Sequence, residues 1–154
     1  MAAITLSSCL HPDQIAWHLP SAPKEKALLN TCSLLQAHPA IQDWNAVYDS
    51  ILEREETHPT AFQNGLAIAH CRTNSSSSLL IALSTSIEGF IYPNNEKIHF
   101  LFAIAVPNKA PADYLRIVGS IARIFSNPTQ LASLLKLPDT NAFVQKIKIL
   151  ENQL

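Results

Sequence analysis

Glycine is nearly absent from this chain, which has three among 154 residues. A Gly-rich phosphate cradle of the dinucleotide or P-loop kind needs several glycines close together, so those chemistries are excluded. Charge is also sparse: charged residues make up 15%, with 11 basic against 12 acidic side chains and a formal net charge of −1. No concentrated basic stripe exists to displace counterions, so nucleic acid is excluded as a partner read through bulk electrostatics. The cysteines, Cys9, Cys32 and Cys71, are odd in number and widely spaced. That argues against a disulfide framework and fits a reducing compartment. Long apolar runs are missing too. The longest, Phe100 to Val106, is far short of a membrane span, and the first ten residues carry no basic n-region. The expectation is a cytoplasmic protein with no membrane insertion.

What is present is a globular composition. Apolar residues reach 47% of the chain, enough at this length for one domain over residues 1–154 with a real core. Ten prolines mark the joints. Ile15 to Leu19 reads as a short strand, and Pro20 to Pro23 opens a helix from Lys24 to Ala37, stopped by His38-Pro39. Trp44, Val47, Tyr48, Ile51 and Leu52 form one stripe of a helix over Asp43 to Glu55. Then the period changes. Leu66–His70, Leu79–Ser84 and Ile98–Val106 are apolar runs bounded by Asn, Ser, Gly and Pro. They read as strands buried on both faces, so helices should cover the sheet. Pro111 begins a helix whose predicted apolar side is Leu115, Val118, Ile121, Ala122 and Phe125. Asn127-Pro128 caps a short helix through Leu135, and Pro138-Asp139-Thr140 resets the chain for a last one carrying Phe143, Val144, Ile147 and Ile149-Leu150. The order implies an α/β or α+β layered domain.

The stretch that carries chemistry is Arg54-Glu-Glu-Thr-His-Pro-Thr60-Ala-Phe-Gln-Asn-Gly65-Leu-Ala-Ile-Ala-His70-Cys-Arg72. An imidazole ending an apolar strand is a nucleophile that is uncharged near neutral pH, and a rigid strand fixes it for in-line attack. An arginine fork suits phosphate oxygens. The stretch resembles the signature of the mannitol/fructose type of enzyme IIA in the phosphotransferase system, including its nitrogen-regulatory branch. There an Arg-Glu pair ends a helix, a Thr follows, and a Gly-x-Ala-[Ile/Val]-Pro-His-Gly-[Lys/Arg] strand delivers the active histidine. Arg54-Glu55, Pro59-Thr60, Asn64-Gly65, Ala67-Ile68, His70 and Arg72 match in order and without a gap. Lys24-Glu25, Val106-Pro107 and the striped helix after it have counterparts as well.

The resemblance implies a mixed β-sheet flanked by helices on both faces and a phosphoryl group accepted on His70 from an HPr-like donor. It implies Arg54 as the phosphate-binding arginine, Arg72 as a second candidate, and Thr60 as a hydroxyl donor. Regulatory targets or an IIB acceptor are the implied downstream partners, and no metal or organic cofactor is implied. The chain departs from the pattern at Ala69, Cys71 and Tyr114, where the family has proline, glycine and a second histidine. Those departures support an alternative, an interaction module that keeps the fold without efficient transfer.

The other histidines read as structural. His11, His38 and His58 each adjoin proline, and His99 lies within an apolar strand. Cys71 points to the opposite strand face from His70, and His58, His70 and Cys71 lack the paired spacing of a zinc site.

Overall fold

The structure, a computed structural model, describes residues 3–59, 63–109 and 111–154. Its centre is a four-stranded mixed sheet in the order β1-β3-β4-β2. The strands are β1 (Ile15–Ala16), β2 (Leu66–Thr73), β3 (Leu80–Tyr92) and β4 (Glu96–Pro107). β3 and β4 run antiparallel, while β1 pairs with β3 and β2 with β4 in parallel. Among the described residues there are six α-helices: α1 (Leu6–Cys9), α2 (Lys24–Ser33), α3 (Trp44–Thr57), α4 (Pro111–Phe125), α5 (Pro128–Leu135) and α6 (Thr140–Asn152).

Strand β4 is apolar without interruption because both of its faces are covered. Phe100, Phe102, Ile104 and Val106 join the core beneath α1, α4, α5 and α6, whereas Leu101, Ala103 and Ala105 join the core beneath α2 and α3. The second face is paved with small residues, since Ala67, Ala69 and Ala82 lie beside Ala103 and Ala105. Short side chains there leave room for two helices to settle close to the sheet. The opposite face is filled by aromatic packing: Phe100 and Phe102 meet the Phe125 ring edge-on at 5.0 and 5.5 Å between centroids.

Several expected boundaries move. β1 stops at Ala16, where His18 takes a left-handed φ of 55° and donates its N–H to Thr85 Oγ1 at 2.8 Å. α2 ends at Ser33 instead of Ala37; beyond it the Cys32 carbonyl accepts the Leu35 N–H at 3.1 Å and, as a second donor, the Trp44 indole N–H at 2.8 Å. β2 runs on to Thr73 and β3 to Tyr92. The inward stripe of α4 is Ile117, Ile121, Ile124 and Phe125, while Ala122 is exposed and Leu115 is 69% exposed. The expected phase was wrong by part of a turn there.

Candidate functional site

β2 is an edge strand, bonded on one side to β4. The chain enters it through Asn64 and Gly65, both left-handed at φ 68° and 84°. Gly65 is required on two counts. The conformation disfavours a side chain, and a Cβ would lie 2.7 Å from His99 Cδ2 and 3.3 Å from the Lys97 carbonyl oxygen. The His99 ring is itself held by its Nδ1–H, which donates to the Ser86 carbonyl at 2.9 Å. From this fixed start the strand alternates: Leu66 and Ile68 face α4, while Ala67, Ala69 and Cys71 face α2 and α3. His70 follows the first set and meets Tyr114 of α4 at 4.7 Å between ring centroids.

α3 delivers the arginine. Its N-cap Asp43 accepts the Ala46 N–H at 3.2 Å, and Val47 and Ile51 seat it on the alanine-lined face. Arg54 falls in the last turn with its side chain exposed. Among the described residues it has no carboxylate within ion-pair distance. Its neighbour Glu55 turns inward and is bound to Lys24, 3.1 Å from Oε1 to Nζ.

These elements enclose a cavity of about 420 Å³ that brings together His70, Arg54, Arg72 and Tyr114. Ser50 and Leu115 also line it. Sequence reasoning missed both. Ser50 stands four residues before Arg54 on α3, a spacing that shares a helix face and could have revealed it. Leu115 was expected in the core and lies on the rim instead. A larger polar hollow, about 640 Å³, opens beyond the ends of β2 and β4 around Asn74, Ser77 and Asn108, and no imidazole lines it. Thr60 lies outside the described residues. Cys71 lines the cavity from the α3 side, and burial pushes its thiol up to about 11, so it stays a neutral thiol.

The electrostatics favour a neutral His70. Burial is the main reason its pKa lies below the ordinary value, and the Arg54 cation adds to the effect. The Ile68 main chain and the Glu55 carboxylate act the other way. Nδ1 is buried, and no described atom stands in hydrogen-bond geometry to it. Burial raises the Tyr114 phenol as well, partly offset by Arg54, so its hydroxyl remains protonated. The site can therefore offer an uncharged nucleophile beside guanidinium groups.

The remaining histidines lie elsewhere. His11 and His58 are exposed, and His38 Nδ1 accepts the Ala40 N–H at 3.0 Å. Among the described residues, no group of three or more His, Cys, Asp or Glu is placed to hold a metal ion. None of the described helices is long and apolar enough to cross a membrane.

Residues 8–149 match the family described as phosphoenolpyruvate-dependent sugar phosphotransferase system, EIIA 2. The chain is 24% identical over 152 residues to a nitrogen regulatory protein of Pseudomonas aeruginosa, covering 97% of this chain and 98% of that one. It is 28% identical over 125 residues to the fructose-specific EIIA component of Haloferax volcanii, covering 80% and 81%. The fold is similar to the crystal structure of nitrogen regulatory protein IIA-Ntr from Neisseria meningitidis, with TM-score 0.81 at 20% identity over 94% of this chain and 98% of that chain. It also resembles the mannitol IIA of Escherichia coli solved in complex with phosphorylated IIB, with TM-score 0.77 at 14% identity over 90% and 96%.

Proposed function

The chain belongs to the EIIA 2 family of the phosphoenolpyruvate-dependent sugar phosphotransferase system, and from that premise we propose that it is a cytoplasmic phosphocarrier whose His70 accepts a phosphoryl group from an HPr-like donor. The observation that carries this reading is one neutral imidazole, on the edge strand, sharing a cavity with two arginines. Nε2 is the attacking nitrogen, since Nδ1 is buried. The Nε2–P bond forms as the donor's N–P bond breaks, and the donor ring leaves with the electron pair. The His70 ring keeps its proton on Nδ1. Charge on the transferring oxygens is met by Arg54, with Arg72 as a second donor and Thr60 supplying a hydroxyl. The full-length likeness to nitrogen regulatory proteins favours phosphorylation as a signal read by regulatory partners. An IIB-type acceptor is the other recipient.

The test is incubation with an HPr-type donor carrying labelled phosphate. Acid-labile, alkali-stable label on the wild type and none on His70→Ala is the expected result. Equal labelling of the two chains rules the assignment out. A second reading, an interaction module without transfer, is favoured by the Tyr114 ring lying where the family places an imidazole. It requires an unlabelled wild type that still binds the donor.

A further inference from the structure

Hydroxyl groups inside helices commonly turn back on their own backbone, and most of those in α2 and α3 do so. Thr31 and Ser33 of α2 donate to the carbonyls of Ala27 and Leu29, each at 2.7 Å. Thr57 of α3 donates to the Glu53 carbonyl at 3.1 Å. Ser50, in the middle of α3, makes no such bond among the described residues. Its hydroxyl reaches across to β2 and donates to the Cys71 sulfur instead. That contact favours a thiolate, but burial outweighs it and the thiol stays neutral.

Four residues separate Ser50 from Arg54, so the two share one side of α3, about 6 Å apart along its axis. Both line the cavity that holds His70, and Ser50 is half-buried there. A phosphoryl group on His70 would bring anionic oxygens into this space. A neutral thiol sulfur is a weak acceptor, whereas a charged oxygen is a strong one. Rotation between staggered positions of the serine side chain re-aims the hydroxyl. The sulfur keeps its contact with the Val106 main chain when the hydroxyl turns away. A weak bond is thus exchanged for a charge-assisted one. The contact is stronger once the charge has arrived, and a contact of that kind favours transfer.

We propose that Ser50 is a further phosphoryl-binding residue: in the phosphorylated protein its hydroxyl leaves Cys71 and donates to an oxygen of the His70 adduct, beside Arg54. This rests on the phosphocarrier reading of the same cavity.

Three chains test it: wild type, Ser50→Ala and Cys71→Ala. One readout is the rate of labelling by a phosphorylated HPr-type donor. The other, by phosphorus NMR on the labelled protein, is the pH at which the phosphoryl group takes up its proton. Ser50→Ala should label at least about fivefold more slowly. Its titration midpoint should rise by about half a pH unit, because a donor that favours the dianion is gone. Alanine is a strong helix former, so the variant should melt within a few degrees of wild type. Cys71→Ala should label within about threefold of wild type, with the midpoint unmoved. An unmoved midpoint in Ser50→Ala overturns the proposal, whatever its rate. So does a Cys71→Ala as slow as Ser50→Ala, since the hydroxyl would then act only through the thiol. A labelled wild type with an unchanged Ser50→Ala removes the serine and leaves the phosphocarrier reading standing. An unlabelled wild type overturns that reading, and the role of Ser50 falls with it.

Discussion

The rings of His70 and Tyr114 lie 4.7 Å apart between centroids, with their planes inclined by 32°. One comes from the edge strand β2 and the other from the first turn of α4, so strand and helix meet at His70 itself. The contact keeps water from one face of the imidazole, and burial is the main reason its protonation is disfavoured. The half-buried phenol offers a hydroxyl but no positive charge. Tyr114 therefore helps to hold His70 neutral and, on the proposed phosphocarrier reading, leaves compensation of the phosphoryl charge to the arginines.

Replacing Tyr114 separates these effects. Tyr114→Phe keeps the ring and removes one neutral hydroxyl, a change of roughly 1 kcal/mol, so phosphorylation should slow by less than about tenfold. Tyr114→His adds a group that is partly cationic at pH 6, and its gain in rate or extent over wild type should be larger at pH 6 than at pH 8. Labelling kinetics of the three chains at both pH values check this. A dead Tyr114→Phe would make the hydroxyl a direct participant.

The titration of His70 follows from the same surroundings. By NMR its midpoint should fall below the ordinary histidine value of about 6.5, and Arg54→Ala should move it upward by removing a cation that disfavours protonation. Linkage fixes the sign for stability. A depressed folded pKa means that near pH 6 the unfolded chain binds more protons than the folded one. The contribution is present above the ordinary value and is lost progressively as the pH falls from there through the lower folded value. Thermal unfolding of His70→Gln between pH 7.5 and 5 should accordingly lose less stability than wild type; a steeper loss in the variant contradicts the assignment.

Much of this was legible in the sequence, for identifiable reasons. The cores of β2 and β4 are continuous apolar runs, and α3 carries a stripe with Asp43 at its start, so local pattern and tertiary structure agree. β3 was expected to end at Ser84, where its apolar run stops. The strand instead crosses a bulge: Thr85 pairs with Phe100 and Phe90 with Ile98. Its buried hydroxyls are satisfied from a distance, with Thr31 Oγ1 bonded to Ser84 Oγ at 2.7 Å and Ser86 Oγ accepting the Gly89 N–H at 3.0 Å. α1 was not foreseen either. Its Leu6 and Ser7 N–H groups donate to the Glu151 carboxylate of α6 at 2.6 and 3.1 Å, a cap from the far end of the chain. At the site, His70, Arg54 and Arg72 were read from the motif and converge on one cavity. Leu115 was misplaced because a helix stripe in α4 can be phased more than one way from spacing alone.

Arg54 should matter for transfer far more than for folding. Its side chain is exposed and, among the described residues, has no ion-pair partner, so truncation removes little from the folded state. Arg54→Ala should slow phosphorylation at least about tenfold while the melting temperature stays within a few degrees. Arg54→Lys keeps the charge but loses the planar fork, and its rate should fall between the two. Equal rates for Arg54→Ala and wild type would return the residue to a helix-terminal cation.

Gly65 sets where β2 begins, and so where His70 stands five residues later. Two separate penalties oppose a side chain there. The backbone φ of 84° is one that non-glycine residues rarely adopt; holding one there costs on the order of 1–3 kcal/mol. A Cβ would also meet His99 Cδ2 at 2.7 Å, and that ring is not free to retreat, because its Nδ1–H is bonded to the Ser86 carbonyl. The same ring leans on Gly89, where a Cβ would come within 3.1 Å of His99 Cε1. Gly65→Ala should therefore lower the melting temperature by several degrees, at about 2–4 °C per kcal/mol for a chain of this size. His99→Ala removes the clash but not the strained φ. The double variant Gly65→Ala/His99→Ala should thus be less destabilised than the sum of the two single variants, the residue of non-additivity reporting the steric contact. Strictly additive melting shifts would show that the backbone conformation alone demands glycine. A Gly65→Ala chain as stable as wild type would show that the entry to β2 can be rebuilt without it.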